Sequence, residues 1–392
     1  MRRQRNQALL ALVLTVLLVV GGMSQGGAAP AARSPAGSGL ETTAASAVLM
    51  DGNGNILYEK DPHTPLPPAS VTKVMTMLLA VEAVEQGRIK LTDRIFTSEN
   101  AWRQGGSQIW LEPGEVMTAR EIMTAVAVVS ANDAAVAVME HIYGSETAAV
   151  DAMNKRAEEL GLKNTHFTNV NGLPAANHTM SAYDTALIAR EALKHPLYIE
   201  LCGIKEHWLR DGKNWLVNTN KLLWWYKGAD GLKTGWTEEA KYCFVGTAKR
   251  DNLRLIAVVF ATPEPRSHLR ESMKLLDWGF ANYAAVPIID KGSVAERLKV
   301  SKGMAKEVEL VAADELNLII PKGQTKNIQK KVVTVGAVKA PVAQGQKCGE
   351  LVALRDGKEL GKVDLVAAGP VPKAGFLQMM HEMFGSLFSL NR

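Results

Sequence analysis

Three short polar strings, Ser70-Val-Thr-Lys73, Ser130-Ala-Asn132 and Lys233-Thr-Gly235, lie in that order along the chain. Serine oxygen is a poor nucleophile at neutral pH until a base takes its proton. Ser70 and Lys73 stand three apart, which puts both on one face of a helix and brings the amine within reach of the hydroxyl. A lysine is a base only when uncharged. Burial beside Val71, Val74 and Met75, a second cation such as Lys233, and a helix N-terminus all disfavour its ammonium. The Ser70 backbone N–H, in a first helical turn, can stabilise an oxyanion. Ser130 can pass a proton to a leaving amine, and the Asn132 carboxamide can hold an amide as donor or acceptor. Lys233 and Thr234 offer a cation and a hydroxyl to a carboxylate, and Gly235 lets a substrate backbone approach a strand edge.

Each string alone has a plain alternative: a helix-start serine with an outward lysine, a polar helix cap, a lysine-guarded sheet edge. Three in order, from distant segments, favour an active site.

The surrounding elements must bring these strings together. Ser46–Met50 and Ile56–Tyr58 flank Asp51-Gly-Asn-Gly54, a hairpin pattern. Prolines 65, 67 and 68 precede Val71–Val84, an apolar stretch too continuous to be one-sided, which reads as a buried helix with Ser70 in its first turn. Residues 91–160 read as helical. Thr118-x-x-Glu121 is a capping box, the Ser130 string is a turn between two helices, and Ser181-x-x-Asp184 starts another. Tyr242–Thr247 and Leu253–Ala261 are β runs, and Ser272–Ala284 returns to helix to pack on them. Strands at both ends with helices between give one α/β catalytic domain over residues 42–283. Short Val- and Lys-rich runs at 308–311, 316–320, 331–335 and 350–354 give a small all-β domain over 286–369.

The ends of the chain carry other signals. Arg2, Arg3 and Arg5 precede an apolar run from Ala8 to Val20 and then small residues, the layout of a secretory signal over 1–29. That run is shorter than the roughly 20 residues of a membrane span. Residues 30–41, rich in Ala, Gly, Ser and Pro, read as a disordered leader. After the hinge Pro370-Val-Pro372, residues 373–392 form an amphipathic pattern with Phe376, Leu377, Met380, Met383, Phe384 and Leu387 on one side. Such a helix either packs on the protein or lies in a membrane interface, and export favours the second.

Composition narrows the class further. Of a net charge of +5, four arginines within residues 1–33 account for most, so no basic footprint for nucleic acid remains. Three cysteines, Cys202, Cys243 and Cys348, exclude a disulfide scaffold, although the first two could pair in an oxidising compartment. No C-x-x-C or H-E-x-x-H spacing occurs, and neither a metal nor another cofactor is expected.

The triplets S-x-x-K, S-x-N and K-T-G resemble those of class A β-lactamases and penicillin-binding proteins. Four longer blocks are similar to one branch of the latter, the low-molecular-mass serine D-alanyl-D-alanine carboxypeptidases: Pro68–Lys73, Gly106–Gly114, Phe167–Leu173 and Lys233–Thr237. Ser-Ala-Asn in place of Ser-Asp-Asn fits that branch and counts against a class A β-lactamase. The resemblance implies an antiparallel sheet flanked by helices, with a helical lobe, followed by the β domain. It implies an exported enzyme that trims the terminal D-Ala from peptidoglycan stem peptides through a Ser70 acyl-enzyme, with Lys73 as base. Ser130 would protonate the leaving amine, Asn132 hold the peptide, Lys233 and Thr234 bind the carboxylate, and the N–H groups of Ser70 and Trp236 form the oxyanion hole. β-Lactams would acylate Ser70. A β-lactamase or transpeptidase on the same scaffold is the enzymatic alternative; a catalytically dead wall-binding or β-lactam-sensing protein is the non-enzymatic one. Arg266 and Arg270 suit either carboxylate binding or a solvated helix start.

Overall fold

A computed structural model describes residues 39–375. The secretory signal and nearly all of the leader, with residues 376–392 of the amphipathic tail, lie outside the described residues.

In chain order, strands β1 (Ser46–Asp51) and β2 (Ile56–Lys60) form the expected hairpin, and a 3-10 turn over Ala69–Thr72 leads into α1 (Lys73–Glu85). Then follow β3 (Arg94–Phe96), α2 (Glu99–Trp102), β4 (Val116–Thr118), α3 (Ala119–Val129), α4 (Asn132–Tyr143) and α5 (Glu146–Glu159). Next come α6 (Ala182–Ala192), α7 (Pro196–Gly203), β5 (Glu206–Leu209), β6 (Asn214–Val217) and α8 (Leu222–Trp225). Three long strands, β7 (Ala229–Thr237), β8 (Lys241–Arg250) and β9 (Leu253–Thr262), precede α9 (Ser267–Asn282).

The main sheet is antiparallel, with order β2-β1-β9-β8-β7. Its central strands are near-continuous apolar runs because both faces are covered. Along β9, Ile256, Val258 and Phe260 point into the core shared with the helical lobe, while Leu255, Ala257 and Val259 point into the core under α9. The two-residue period of a strand serves both layers at once. On the lobe side α1 is buried nearly all round, from Lys73 to Val81, which is why its sequence shows no polar stripe.

Capping chemistry fixes the helix starts. The Thr118 side chain accepts from the Glu121 amide, while Glu121 returns a bond to the Thr118 amide, completing the capping box. Ser181 accepts from the Asp184 amide at the start of α6. Residues 91–118 depart from the helical expectation: a short β3–β4 pair and a long loop interrupt them. The helix expected over Ser272–Ala284 begins five residues earlier, at Ser267.

Beyond α9 the chain is all β. Strands β10 (Tyr283–Ile289), β11 (Val294–Ser301), β12 (Glu307–Ala312) and β13 (Leu316–Pro321) are followed by β14 (Gln329–Thr334), β15 (Val338–Lys339), β16 (Lys347–Arg355) and β17 (Lys358–Ala367). They form a β10–β13 pair and a six-stranded sheet of order β14-β16-β17-β12-β11-β15 around a separate apolar core. Lys373 bridges to Gly303 and the Ala374 amide donates to Lys302, so residues 373–375 are extended and tied to this sheet rather than helical. Cys202, Cys243 and Cys348 are all free and buried. Burial pushes the thiols of Cys202 and Cys243 up to about 12, which leaves them unreactive at neutral pH.

Candidate active site

Ser70 lies in the 3-10 turn that enters α1, one turn earlier than a regular helix would place it. Lys73 is the first residue of α1 and is completely buried. Its Nζ lies 3.0 Å from Ser70 Oγ, 2.5 Å from Asn132 Oδ1 and 2.6 Å from the Asn171 carbonyl oxygen. Burial, then the nearby Lys233 cation, hold the Lys73 amine well below its ordinary 10.5, against a weaker upward pull from Asp133. A neutral amine has two N–H donors and one lone pair. Asn132 Oδ1 and the Asn171 carbonyl accept the two donors, so the lone pair is left for the Ser70 O–H.

The Asn132 side chain is itself fixed. Its Nδ2 donates to the Gly105 carbonyl at 2.6 Å, and its backbone amide donates to Ser107 at 2.7 Å. The neighbouring Asp133 carboxylate, buried, accepts from the amides of Ile109, Leu111 and Ala134. The start of α4 therefore pins the 105–111 loop to the site. Ser130 ends α3 in the left-handed region, φ 63°. Its hydroxyl is buried and has no hydrogen-bond partner among the described residues. Leaving such a group unpaired costs about 1–3 kcal/mol, which marks it as a functional candidate.

The third string lies inside β7, the edge strand of the main sheet. Lys233 is buried and its Nζ donates to the Thr234 carbonyl at 2.9 Å. Desolvation pushes its amine down to about 7. The Thr234 hydroxyl lies 2.9 Å from that of Thr219, in the loop after β6. At Gly235 a Cβ would fall 2.9 Å from the Pro68 carbonyl oxygen and 3.1 Å from the Val71 nitrogen. The missing side chain lets the edge strand pack directly on the nucleophile turn. Trp236 is exposed, its ring beside Tyr242.

Ser70, Lys73 and Asn132 are thus joined by direct hydrogen bonds. Lys233 reaches them through its field, and Gly235 through packing. Ser130 stands two residues from Asn132 without a bond to the others. Arg270 pairs with Glu264 in solvent and Arg266 is exposed at the start of α9; among the described residues neither bonds to this group.

Several participants escaped the sequence reading. Asn171 and Gly172 fall inside the Phe167–Leu173 block, but no side-chain signal marks a backbone carbonyl as the acceptor for a lysine. A Cβ on Gly172, at φ +83°, would fall 1.9 Å from the Ala69 carbonyl oxygen. His178 supports the turn from below. Its Nδ1 accepts from the Thr168 amide at 3.0 Å, so Nε2 carries the proton and donates to Thr72 Oγ1 at 2.7 Å. Thr72 in turn donates to Ala69 at 2.8 Å. Burial, then His166 and Lys73, push His178 down to about 4, keeping it neutral.

Residues 30–264 match the family described as D-alanyl-D-alanine carboxypeptidase, and residues 283–373 match the C-terminal domain of penicillin-binding protein 5. The chain is 43% identical over 353 residues to the D-alanyl-D-alanine carboxypeptidase DacF of Bacillus subtilis, covering 89% of this chain and 91% of that one. Its fold is similar to penicillin-binding protein 5 from Haemophilus influenzae, with a TM-score of 0.72 and 34% identity over 85% of this chain and 98% of the other. It is also similar to the ampicillin-bound form of penicillin-binding protein D2 from Listeria monocytogenes, with a TM-score of 0.57 and 29% identity, covering 62% and 99% of the two chains.

Proposed function

The chain belongs to the D-alanyl-D-alanine carboxypeptidase family of serine peptidases, and from that premise we propose that it releases the terminal D-Ala of peptidoglycan stem peptides through an acyl-enzyme on Ser70. The observation that carries the reading is the buried Lys73 amine, with both N–H donors directed at carbonyl oxygens and its remaining valence toward Ser70 Oγ.

In this mechanism the Lys73 lone pair takes the Ser70 proton as the oxygen attacks the penultimate D-Ala carbonyl. The backbone N–H groups of Ser70 and Trp236 receive the developing oxyanion. The C–N bond breaks as the Ser130 hydroxyl gives the leaving amine its proton and is resupplied with the proton held by Lys73, which returns the lysine to its neutral form. Lys233 and Thr234 hold the terminal carboxylate, with Thr219 as the hydroxyl partner of Thr234. Asn132 holds both the peptide and the lysine, which couples substrate alignment to base orientation. Water then cleaves the ester: neutral Lys73 takes a proton from the attacking water and hands it to the departing Ser70 oxygen, which restores the free enzyme. A β-lactam carries a strained amide and a carboxylate in similar relation, so it acylates Ser70; the ampicillin-bound form of the Listeria relative supports this.

The test is release of free D-Ala from diacetyl-Lys-D-Ala-D-Ala together with acylation by labelled penicillin. Ser70→Ala is expected to lower both by roughly ten-thousandfold or more. Rapid cephalosporin turnover without D-Ala release would assign the site to a β-lactamase instead.

Catalytic residues 42–283, a β domain over 286–369, export by residues 1–29 and attachment to the outer face of the cytoplasmic membrane by the terminal segment complete the proposal. Among the described residues no helix is long and apolar enough to cross a membrane, so attachment rests on the amphipathic pattern beyond residue 375. Truncation after Gly375 is expected to move the exported protein from the membrane pellet to the supernatant. An unchanged distribution would remove the anchor.

A further inference from the structure

Seven of the eight tryptophans are exposed, an unusual use of the most costly apolar side chain to leave in water. Several of them stand on segments hydrogen-bonded to α4 or β7, the elements that carry Asn132 and Thr234. Trp110, 74% exposed with a left-handed backbone at φ 53°, follows Ile109, whose amide the Asp133 carboxylate holds. Trp208 on β5 and Trp215 on β6 face each other across the hairpin, rings stacked at 5.9 Å and 20°, and both are more than half exposed. Arg210, in the turn of that hairpin, donates to the carbonyls of Ile109 and Trp110 and forms an ion pair with Glu115. Hairpin and loop are therefore one rigid wall. The chain then runs through Thr219, whose hydroxyl meets Thr234, into α8, where Trp224 packs under the ammonium groups of Lys205 and Lys221 at 5.7 and 4.8 Å.

We propose that this tryptophan tract is a platform for the glycan strand of peptidoglycan, so that the enzyme recognises the polymer and not only the peptide tail. The inference rests on the proposed reading of the cleft as a site for stem peptides. Flat indole faces, electron-rich and held rigid, suit the polarised C–H faces of pyranose rings. Lys205 and Lys221 suit the carboxylates of peptides hanging from such a strand. Continuity with the cleft decides between occupants. A peptide held by Lys233 and Thr234 lies next to Thr219 and the segments on either side of it, which carry the aromatics, so its glycan end has them within reach. A bilayer seated on the same tryptophans would cover the wall and obstruct the cleft that they border.

The test separates glycan binding from hydrolysis by using the mature chain with Ser70→Ala. Calorimetric titration with peptide-free glycan strands, prepared by amidase digestion, is expected to show binding. Adding Trp208→Ala and Trp215→Ala should weaken it about tenfold or more, and Trp208→Tyr with Trp215→Tyr should recover most of the loss. With Ser70 intact, the alanine pair should lower kcat/KM on glycan-borne pentapeptide by about tenfold while leaving diacetyl-Lys-D-Ala-D-Ala within about twofold. No binding by the parent, an equal loss on both substrates, or tyrosine behaving like alanine would each overturn the proposal. So would loss of binding to anionic phospholipid vesicles with glycan binding unchanged, which would assign the tract to a membrane. A chain with Ser70 intact that binds glycan yet releases no D-Ala would sink the peptidase reading and leave this one standing.

Discussion

The catalytic region and the C-terminal β region bury different chemistry. Every buried polar or charged side chain among the described residues falls between Ser46 and Ser272, and none lies beyond residue 283. The β region closes on Val, Leu, Ile and Ala, with Cys348 as its most polar buried group. Its ion pairs, such as Lys347 with Glu350 and Asp364, are at the surface, where such pairs contribute little. The catalytic region encloses two lysines, an aspartate, a serine without a partner and a neutral histidine around one turn of chain. Stability is conceded where chemistry is done, and the other region is built without that concession.

Glycines offer the strongest way to break the comparison. Gly172→Ala forces a Cβ against the Ala69 carbonyl at a backbone angle that L residues avoid, and it should lower kcat/KM by about a hundredfold or more together with the melting temperature. Gly361→Ala meets only the ends of two side chains, Leu318 at 2.8 Å and Leu316 at 3.4 Å, and no backbone atom. Steady-state assays should find its activity within about twofold of the parent. Comparable activity losses at both positions would mean that the two regions are not specialised as described.

Proton binding sharpens the contrast. Capture of a carboxylate needs Lys233 charged, and its amine sits at about 7 in the free enzyme. Above that value KM for a carboxylate-terminated peptide should rise, approaching tenfold per pH unit, while kcat, which needs Lys73 neutral, does not fall in parallel. A KM independent of pH between 6 and 9 would contradict the assignment of Lys233.

A smaller effect concerns stability. Lys233 has a native value of about 7, so between about 7 and 10.5 the unfolded state binds more protons and stability rises with pH; Lys73, also held down by burial, acts in the same direction. Lys233→Met removes one contributor and should raise the melting temperature at pH 6 by on the order of 3–6 °C, while abolishing carboxylate capture. Calorimetry at pH 6 checks this; a lower melting temperature would show that Lys233 supports the fold.

How far the sequence reached can be judged from particular residues. The spacing of Ser70 and Lys73, the capping box at Thr118 and the apolar runs of β8 and β9 were legible because local periodicity and local hydrogen bonding produced them. The 3-10 entry into α1 was not, since i,i+3 spacing suits either helix type. The β5–β6 hairpin was passed over although Asp211-Gly212 supplies its turn, because its strands are short and carry exposed tryptophans where a core face would be expected. The role of Asn171 belongs to a carbonyl that every residue possesses. Gly235 was singled out, but only coordinates reveal which neighbour its bare α-carbon accommodates.

The bond from the Thr168 amide to His178 has an outcome for life in acid. As pH falls from the unfolded value near 6.5 toward about 4, the native imidazole resists a proton that the unfolded one accepts, so the fold loses stability over that interval. When Nδ1 is finally protonated, two N–H groups confront each other and the strut beneath Thr72 and Ala69 is withdrawn. Loss of that acceptor would slacken the support of the turn that carries Ser70. The prop beneath the nucleophile is thereby tied to the same proton whose uptake costs the fold stability in acid.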